Sequence, residues 1–125
     1  MSLLAIDHVQ LAIPSGGEAE ARRFYGELLG LTEIPKPAAL ASRGGCWFKN
    51  ETVEVHCGVE EPFRPARKAH IGFRVADVEA FAARAHAAGF AVSEDDGGLA
   101  NVHRVFVFDP FGNRLEFLHS TETQT

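Results

Sequence analysis

The stretch Asp109-Pro110-Phe111-Gly112-Asn113-Arg114-Leu115-Glu116-Phe117-Leu118 decides how this chain is read. Its first half has the chemistry of a turn. Asp opens it, Pro presets one backbone angle, and Gly-Asn supply positions that tolerate positive φ. Its second half alternates, with Arg114, Glu116 and Leu118 on one face and Leu115 and Phe117 on the other, the period of a half-buried strand. Glu116 is the anomaly. A carboxylate beside Leu118 is costly to bury unless a cation or strong donors meet it. The plain alternative is an exposed strand residue paired with Arg114 or Arg104.

Working outward, Val102 to Phe108 reads as the partner strand of a hairpin closed by the 109–113 turn. Before it, Ala69 to Val75 alternates His70, Gly72 and Arg74 against Ile71, Phe73 and Val75. Asp77 is a good N-cap for a helix with the apolar stripe Val78, Phe81, Ala82, Ala85 and Ala88, stopped by Gly89. Phe90 to Ser93 is a short strand, and Glu94 to Gly98 an acidic, glycine-rich loop. The first half of the chain carries the same order. Leu3 to Ile13 alternates Ile6, His8, Gln10 and Ala12 against Asp7, Val9, Leu11 and Ile13, and ends at Pro14. Glu18 to Leu29 has helical spacing, with acids in its first turn and Gly30 as its stop. Strands follow at Leu31 to Ile34, Cys46 to Lys49 and Thr52 to Cys57, with Ala38 to Ser42 ambiguous.

The chain is therefore two copies of strand–helix–strand–strand–strand, an α+β arrangement. At an offset of 62, Asp7-His8-Val9 lies over Ala69-His70-Ile71, and Val53-Glu54-Val55 over Leu115-Glu116-Phe117. Each copy places a His in its first strand and a Glu in its last. If those strands are neighbours, the pair face one another. His56 shares a strand face with Glu54, so either could be the group that matches Glu116. Imidazole and carboxylate donors suit Fe, Mn, Ni, Co or Zn, and the lack of thiolates at these positions argues against a structural Cys-rich zinc site. His86, His103 and His119 lie outside this pattern, with His103 the one that could line a cavity. Trp47, Phe48, Phe106 and Phe108 supply apolar cavity wall or core, with core the first choice, and Cys57, which faces away from His56, reads as core.

Composition bounds the rest. A chain of 125 residues with a hydrophobic fraction of 46% and ten Phe can bury one real core. A net charge of −5 gives no electrostatic footprint for nucleic acid. The cations of Arg64-Pro65-Ala66-Arg67-Lys68 read as a solvated connector. Apolar runs are too short and too interrupted to span a bilayer, and no signal-peptide pattern opens the chain. Two cysteines make no disulfide framework, so the expectation is a soluble, cytoplasmic protein with reduced thiols.

The chain resembles the vicinal oxygen chelate superfamily, which includes glyoxalase I, fosfomycin-resistance enzymes, extradiol dioxygenases and bleomycin-resistance proteins. The resemblance runs nearly end to end. It is carried by Asp7-His8-Val9, by Arg23-Phe24-Tyr25-Gly26-Glu27-Leu28-Leu29-Gly30-Leu31, by Ala69-His70-Ile71-Gly72-Phe73 and by Asp109 to Glu116. It implies paired βαβββ modules forming an open, eight-stranded barrel-like sheet with helices outside, here a single domain with modules at about 3–60 and 69–119, a linker at 61–68 and a tail at 120–125. It implies a divalent metal held by His8, His70 and Glu116, with His56 or Glu54 as the fourth ligand. It also implies a homodimer and a small-molecule substrate bound through vicinal oxygens. Glu116 or Glu54 is then the candidate base. Gln10 and Arg74 are candidates for holding a substrate carboxylate or phosphonate. Three activities fit the superfamily: a lyase or isomerase of glyoxalase type, an Fe(II) extradiol-type dioxygenase, and metal-free sequestration of a drug or metabolite. Retained His8, His70 and Glu116 count against the last.

Overall fold

The computed structural model describes residues 2–95, 97, 98 and 100–121. The chain divides into two compact units at Pro65/Ala66, each built on its own four-stranded sheet. The expected acidic loop includes Asp96, and the expected tail includes 122–125; these lie outside the described residues.

The first module contains β1 (Val9–Ile13), helix α1 (Glu18–Ala21) continued by a π-helical segment (Arg22–Leu28), β2 (Thr32–Ile34), α2 (Ala38–Ala41), β3 (Cys46–Lys49) and β4 (Glu54–Val59). Its sheet order is β1-β4-β3-β2, with β1 parallel to β4 and the other pairs antiparallel. The second module contains β5 (Ile71–Arg74), α3 (Val78–Ala87), β6 (Val92–Glu94), β7 (Val102–Phe108) and β8 (Arg114–Ser120), ordered β5-β8-β7-β6. First and last strands of each module are therefore neighbours, and each runs parallel. The α+β class and the tandem βαβββ modules stand. Among the described residues the eight strands form two separate four-stranded sheets, and no ladder joins them into one.

Each sheet is apolar on its helix side. Val55, Cys57, Phe48 and Cys46 are buried with Phe24, Tyr25 and Leu28 in the first module. Val105, Val107, Leu115 and Phe117 are buried with Val78, Phe81 and Ala85 in the second. Phe117 stacks on Phe81 at 4.2 Å between ring centroids. Asp77 caps α3 as expected, its Oδ1 accepting from Ala80 N at 3.1 Å.

Three expectations change. The spacing of Phe24, Tyr25 and Leu28 predicts a regular α-helix, but Leu29 N donates to Phe24 O at 3.0 Å, the i→i−5 bond of a π segment. The expected strand over Leu3 to Ile13 begins only at Val9, and Leu3, Leu4 and Ile6 are 100%, 97% and 81% exposed. Of the four aromatics assigned to core, only Phe48 is fully buried; Trp47, Phe106 and Phe108 are half-buried on the other side of their sheets.

The 109–113 turn is as tight as its residues require. Asp109 Oδ1 accepts from Phe111 N at 2.9 Å and Asn113 N at 2.8 Å, and Asn113 Nδ2 donates to Asp109 Oδ2 at 2.8 Å. Positive φ falls on Gly112 alone in this turn, at 93°. The turn starts β8 on Arg114, which puts Leu115 and Phe117 into the core and Glu116 on the opposite face.

Candidate functional site

In the second module, Glu116 lies across from Gly72 on β5 and Phe106 on β7. His70 stands one residue before β5. Its Nδ1–H donates to the Lys68 carbonyl at 3.0 Å, and its Nε2 lies 2.9 Å from Glu116 Oε1. A carbonyl can only accept, so Nδ1 carries a proton and the neutral ring presents a lone pair at Nε2. A lone pair facing a carboxylate oxygen at hydrogen-bond distance calls for a cation, either a second ring proton or a metal. Arg104 Nη1 approaches the other oxygen, Oε2, at 3.5 Å. The side chains of His70 and Glu116 are 24% and 12% exposed, so the pair is accessible but substantially shielded.

The first module repeats this. His8 stands one residue before β1, and its Nδ1 pairs with Asp7 Oδ2 at 2.9 Å, leaving Nε2 open. The hydrogen bond from His8 holds the Asp7 carboxyl below its ordinary range. In both modules the first-strand His thus has its Nδ1 anchored, to a carboxylate in one and to a carbonyl in the other. That is the usual second partner of a metal-bound imidazole.

The offset of 62 misassigns the last strand. In β1/β4 the register sets Gln10 against His56, whereas in β5/β8 it sets Gly72 against Glu116. Gln10 and Gly72 match at the offset of the first strands, so His56, not Glu54, is the register equivalent of Glu116. The β3 and β7 neighbours agree, Trp47 lying against His56 and Phe106 against Glu116. The first module holds two extra residues between its first and last strands, which the repeat in sequence did not reveal. His56 is buried between two rings, with centroids 4.1 Å from His8 and 3.8 Å from Trp47, nearly parallel to both. Glu54 Oε2 lies 2.7 Å from His56 Nε2.

The donor chemistry fits a divalent ion. Two ligand atoms bound at right angles with bonds of about 2.1 Å stand about 3 Å apart. The His70–Glu116 and His56–Glu54 contacts, 2.9 and 2.7 Å, are close to that spacing. Among the described residues, no three His, Cys, Asp or Glu side chains form a cluster that could hold a metal ion, and the imidazole–carboxylate contacts come as pairs.

The remaining candidates fall elsewhere. Gln10 lies over Gly58, where an added Cβ would meet its Nε2 at 2.8 Å. Arg74 is exposed at the end of β5. Arg114 sits 4.7 Å from the Phe106 ring centroid and makes no ion pair among the described residues. His103 and His86 line a cavity of about 490 Å³ under α3, on the other side of the sheet from Glu116. His119 has a structural task that its position did not disclose: its Nδ1 accepts from Val78 N at 2.9 Å, at the start of α3. Sequence patterning does not mark Asp95, and it marks Arg104 only as a plain ion-pair partner for Glu116. Cys46 and Cys57 form no disulfide and are buried opposite one another on the core side.

With this geometry in hand, residues 5–117 match the model of the Glyoxalase/Bleomycin resistance protein/Dioxygenase superfamily. The chain belongs to that superfamily, the vicinal oxygen chelate group. It is similar to a glyoxalase family protein of known structure from Bacillus anthracis, at 48% identity over 96% of this chain and 98% of that one, with a TM-score of 0.89. The fosfomycin resistance protein FosX from Listeria monocytogenes shares the fold at 12% identity (TM-score 0.74, covering 99% and 97% of the two chains). A glyoxalase family protein from Enterococcus faecalis does so at 20% identity (TM-score 0.69, 92% and 97%). A search of curated proteins finds no match.

Proposed function

We propose that this chain is a divalent-metal-dependent enzyme of lyase or isomerase type, acting on a small substrate that presents two vicinal oxygens. His8 and His56 of the first module, with His70 and Glu116 of the second, are the proposed ligands. The observation that carries this reading is the matched pair of histidines ahead of the first strands, each anchored at Nδ1. Membership of the superfamily and the 48% identity to a glyoxalase family protein support it. When bound, the metal would supply positive charge beside an oxyanion developing on the substrate.

The chain's own residues divide the remaining work. Glu54, with a side chain 25% exposed and a single contact to His56, lines an open cleft of about 500 Å³ formed by the segment before β1 and the β3–β4 turn. That volume suits a small molecule. Glu54 is the proposed proton acceptor there, a carboxylate that can exchange its hydrogen bond to His56 for a substrate proton. Arg114, stacked on Phe106 and without an ion pair among the described residues, offers a cation to negative charge on the substrate. The exposed Leu3, Leu4 and Ile6, next to the edge strand β1, support assembly as a homodimer. The location proposed is cytoplasmic, and no described helix is long and apolar enough to cross a membrane.

Elemental analysis of protein purified without added metal tests the reading, with reloading by Ni, Mn, Fe, Co or Zn. The expected result is near-stoichiometric uptake of one of these ions, lost in His70→Ala. No uptake of any of them by the parent chain would sink the metalloenzyme assignment.

A further inference from the structure

Glu116 touches two partners, one at each carboxylate oxygen. Oε1 faces His70 Nε2 at 2.9 Å, and Oε2 faces Arg104 Nη1 at 3.5 Å. Arg104 does not reach Glu116 as a loose surface cation. It comes from β7 at the position opposite Leu118, diagonal to Glu116 on the same face. Its guanidinium carbon lies 5.3 Å from the Phe106 centroid, against the ring that itself lies across from Glu116. Its Nε is buried and lies 3.1 Å from Asp95 Oδ2, within ion-pair range though off the line of a hydrogen bond. Asp95 is shielded, with a side chain 10% exposed. Contact with Asp95 first, and with Glu116 after it, holds the guanidinium firmly in its charged form.

We propose that Arg104, braced by Asp95, is a positioning residue that occupies one oxygen of Glu116 and so presents the other, alone, to the metal beside His70. The inference rests on the metal reading above and adds a device to it. A carboxylate with both oxygens free can chelate an ion through two atoms or swing away from it. A guanidinium 3.5 Å from Oε2 attracts that oxygen and biases the orientation of the carboxylate. Arg114 shows the contrast. It lies over the same Phe106 ring yet makes no ion pair among the described residues, so the two guanidiniums have different duties.

Titration of the full-length apo protein with Co²⁺, followed by its visible d–d absorption and by calorimetry, tests this. The parent, Arg104→Met, Arg104→Lys, Asp95→Asn and His70→Ala are compared, with thermal unfolding of each apo protein checking the fold. Arg104→Met is expected to bind Co²⁺ about 10–100-fold more weakly, the usual loss when an outer partner of a metal ligand is removed. Its d–d band should also change as Glu116 becomes free to bind through both oxygens. Arg104→Lys should restore part of the affinity and Asp95→Asn lose part of it; these variants carry the test if Arg104→Met does not fold. Parent-like affinity and spectrum in Arg104→Met, with binding lost in His70→Ala, would overturn the inference and leave the metal centre standing. Absence of Co²⁺ binding in the parent would remove both.

Discussion

At the scale of single residues, the few buried polar side chains are matched to specific partners. Asp109 and Asn113 are both buried, and their side chains and backbone satisfy one another across the turn. Asp109→Ala strands two backbone donors and one amide, and is expected to cost about 3 kcal/mol in urea unfolding. Glu18 is a second such case. Its Oε2 accepts from Gly45 N at 2.7 Å, and that hydrogen bond holds its carboxyl below the ordinary 4.5. A carboxyl lowered in the folded state contributes stability that is complete above the unfolded value of 4.5 and is lost as pH falls through the lower folded value. Glu18→Gln should therefore lose less stability on acidification below pH 4.5 than the parent does, read from urea midpoints between about pH 3 and pH 6. An equal loss in both proteins would contradict the assignment. Residues of this kind differ in how far sequence betrays them. The Asp109 turn was legible because turn chemistry is local. The bond from Val78 to His119 was not, because it spans 41 residues and needs the register of β8 to be known.

At the scale of elements, register decides chemistry. The strand–helix–strand–strand–strand order was legible from period-2 and helical spacing, and so was the Asp77 cap, where Asp77→Ala is expected to cost about 1 kcal/mol by thermal or urea unfolding. What spacing could not show was the two-residue difference between the modules, which makes His56 rather than Glu54 the positional equivalent of Glu116. Insertions between strands leave no mark on apolar alternation. Glycines make a matched test of the sheets. At Gly45, φ is 84° and a Cβ would lie 2.1 Å from Cys57 O, so Gly45→Ala must deform β3 against β4 and should cost about 3 kcal/mol or more. At Gly72, beside Glu116, a Cβ would meet Leu118 and Glu116 at 3.7 and 3.9 Å, ordinary contacts. Gly72→Ala should change stability by under about 1 kcal/mol. Similar midpoints for the two variants would contradict this reading of the sheets.

At the scale of the whole molecule, one supersecondary unit is used twice, and each use anchors one imidazole ahead of its first strand. The offset of 62 between the two first strands made that repeat legible in the sequence, whereas the identity of the substrate is not written in any motif of the chain. Sedimentation equilibrium should give twice the chain mass, and a monomeric mass would remove the proposed homodimer. The proposed function requires that Nε2 of His8 in the first module and Nε2 of His70 in the second each serve a divalent ion. Long-range ¹H–¹⁵N spectra of the imidazoles during Zn²⁺ addition test it directly. The account predicts that the Nε2 resonances of His8 and His70 shift together and saturate at a fixed metal ratio, while both Nδ1 nitrogens remain protonated. Nε2 resonances that stay in place through the titration, or Zn²⁺ that shifts Nδ1 instead, would contradict it.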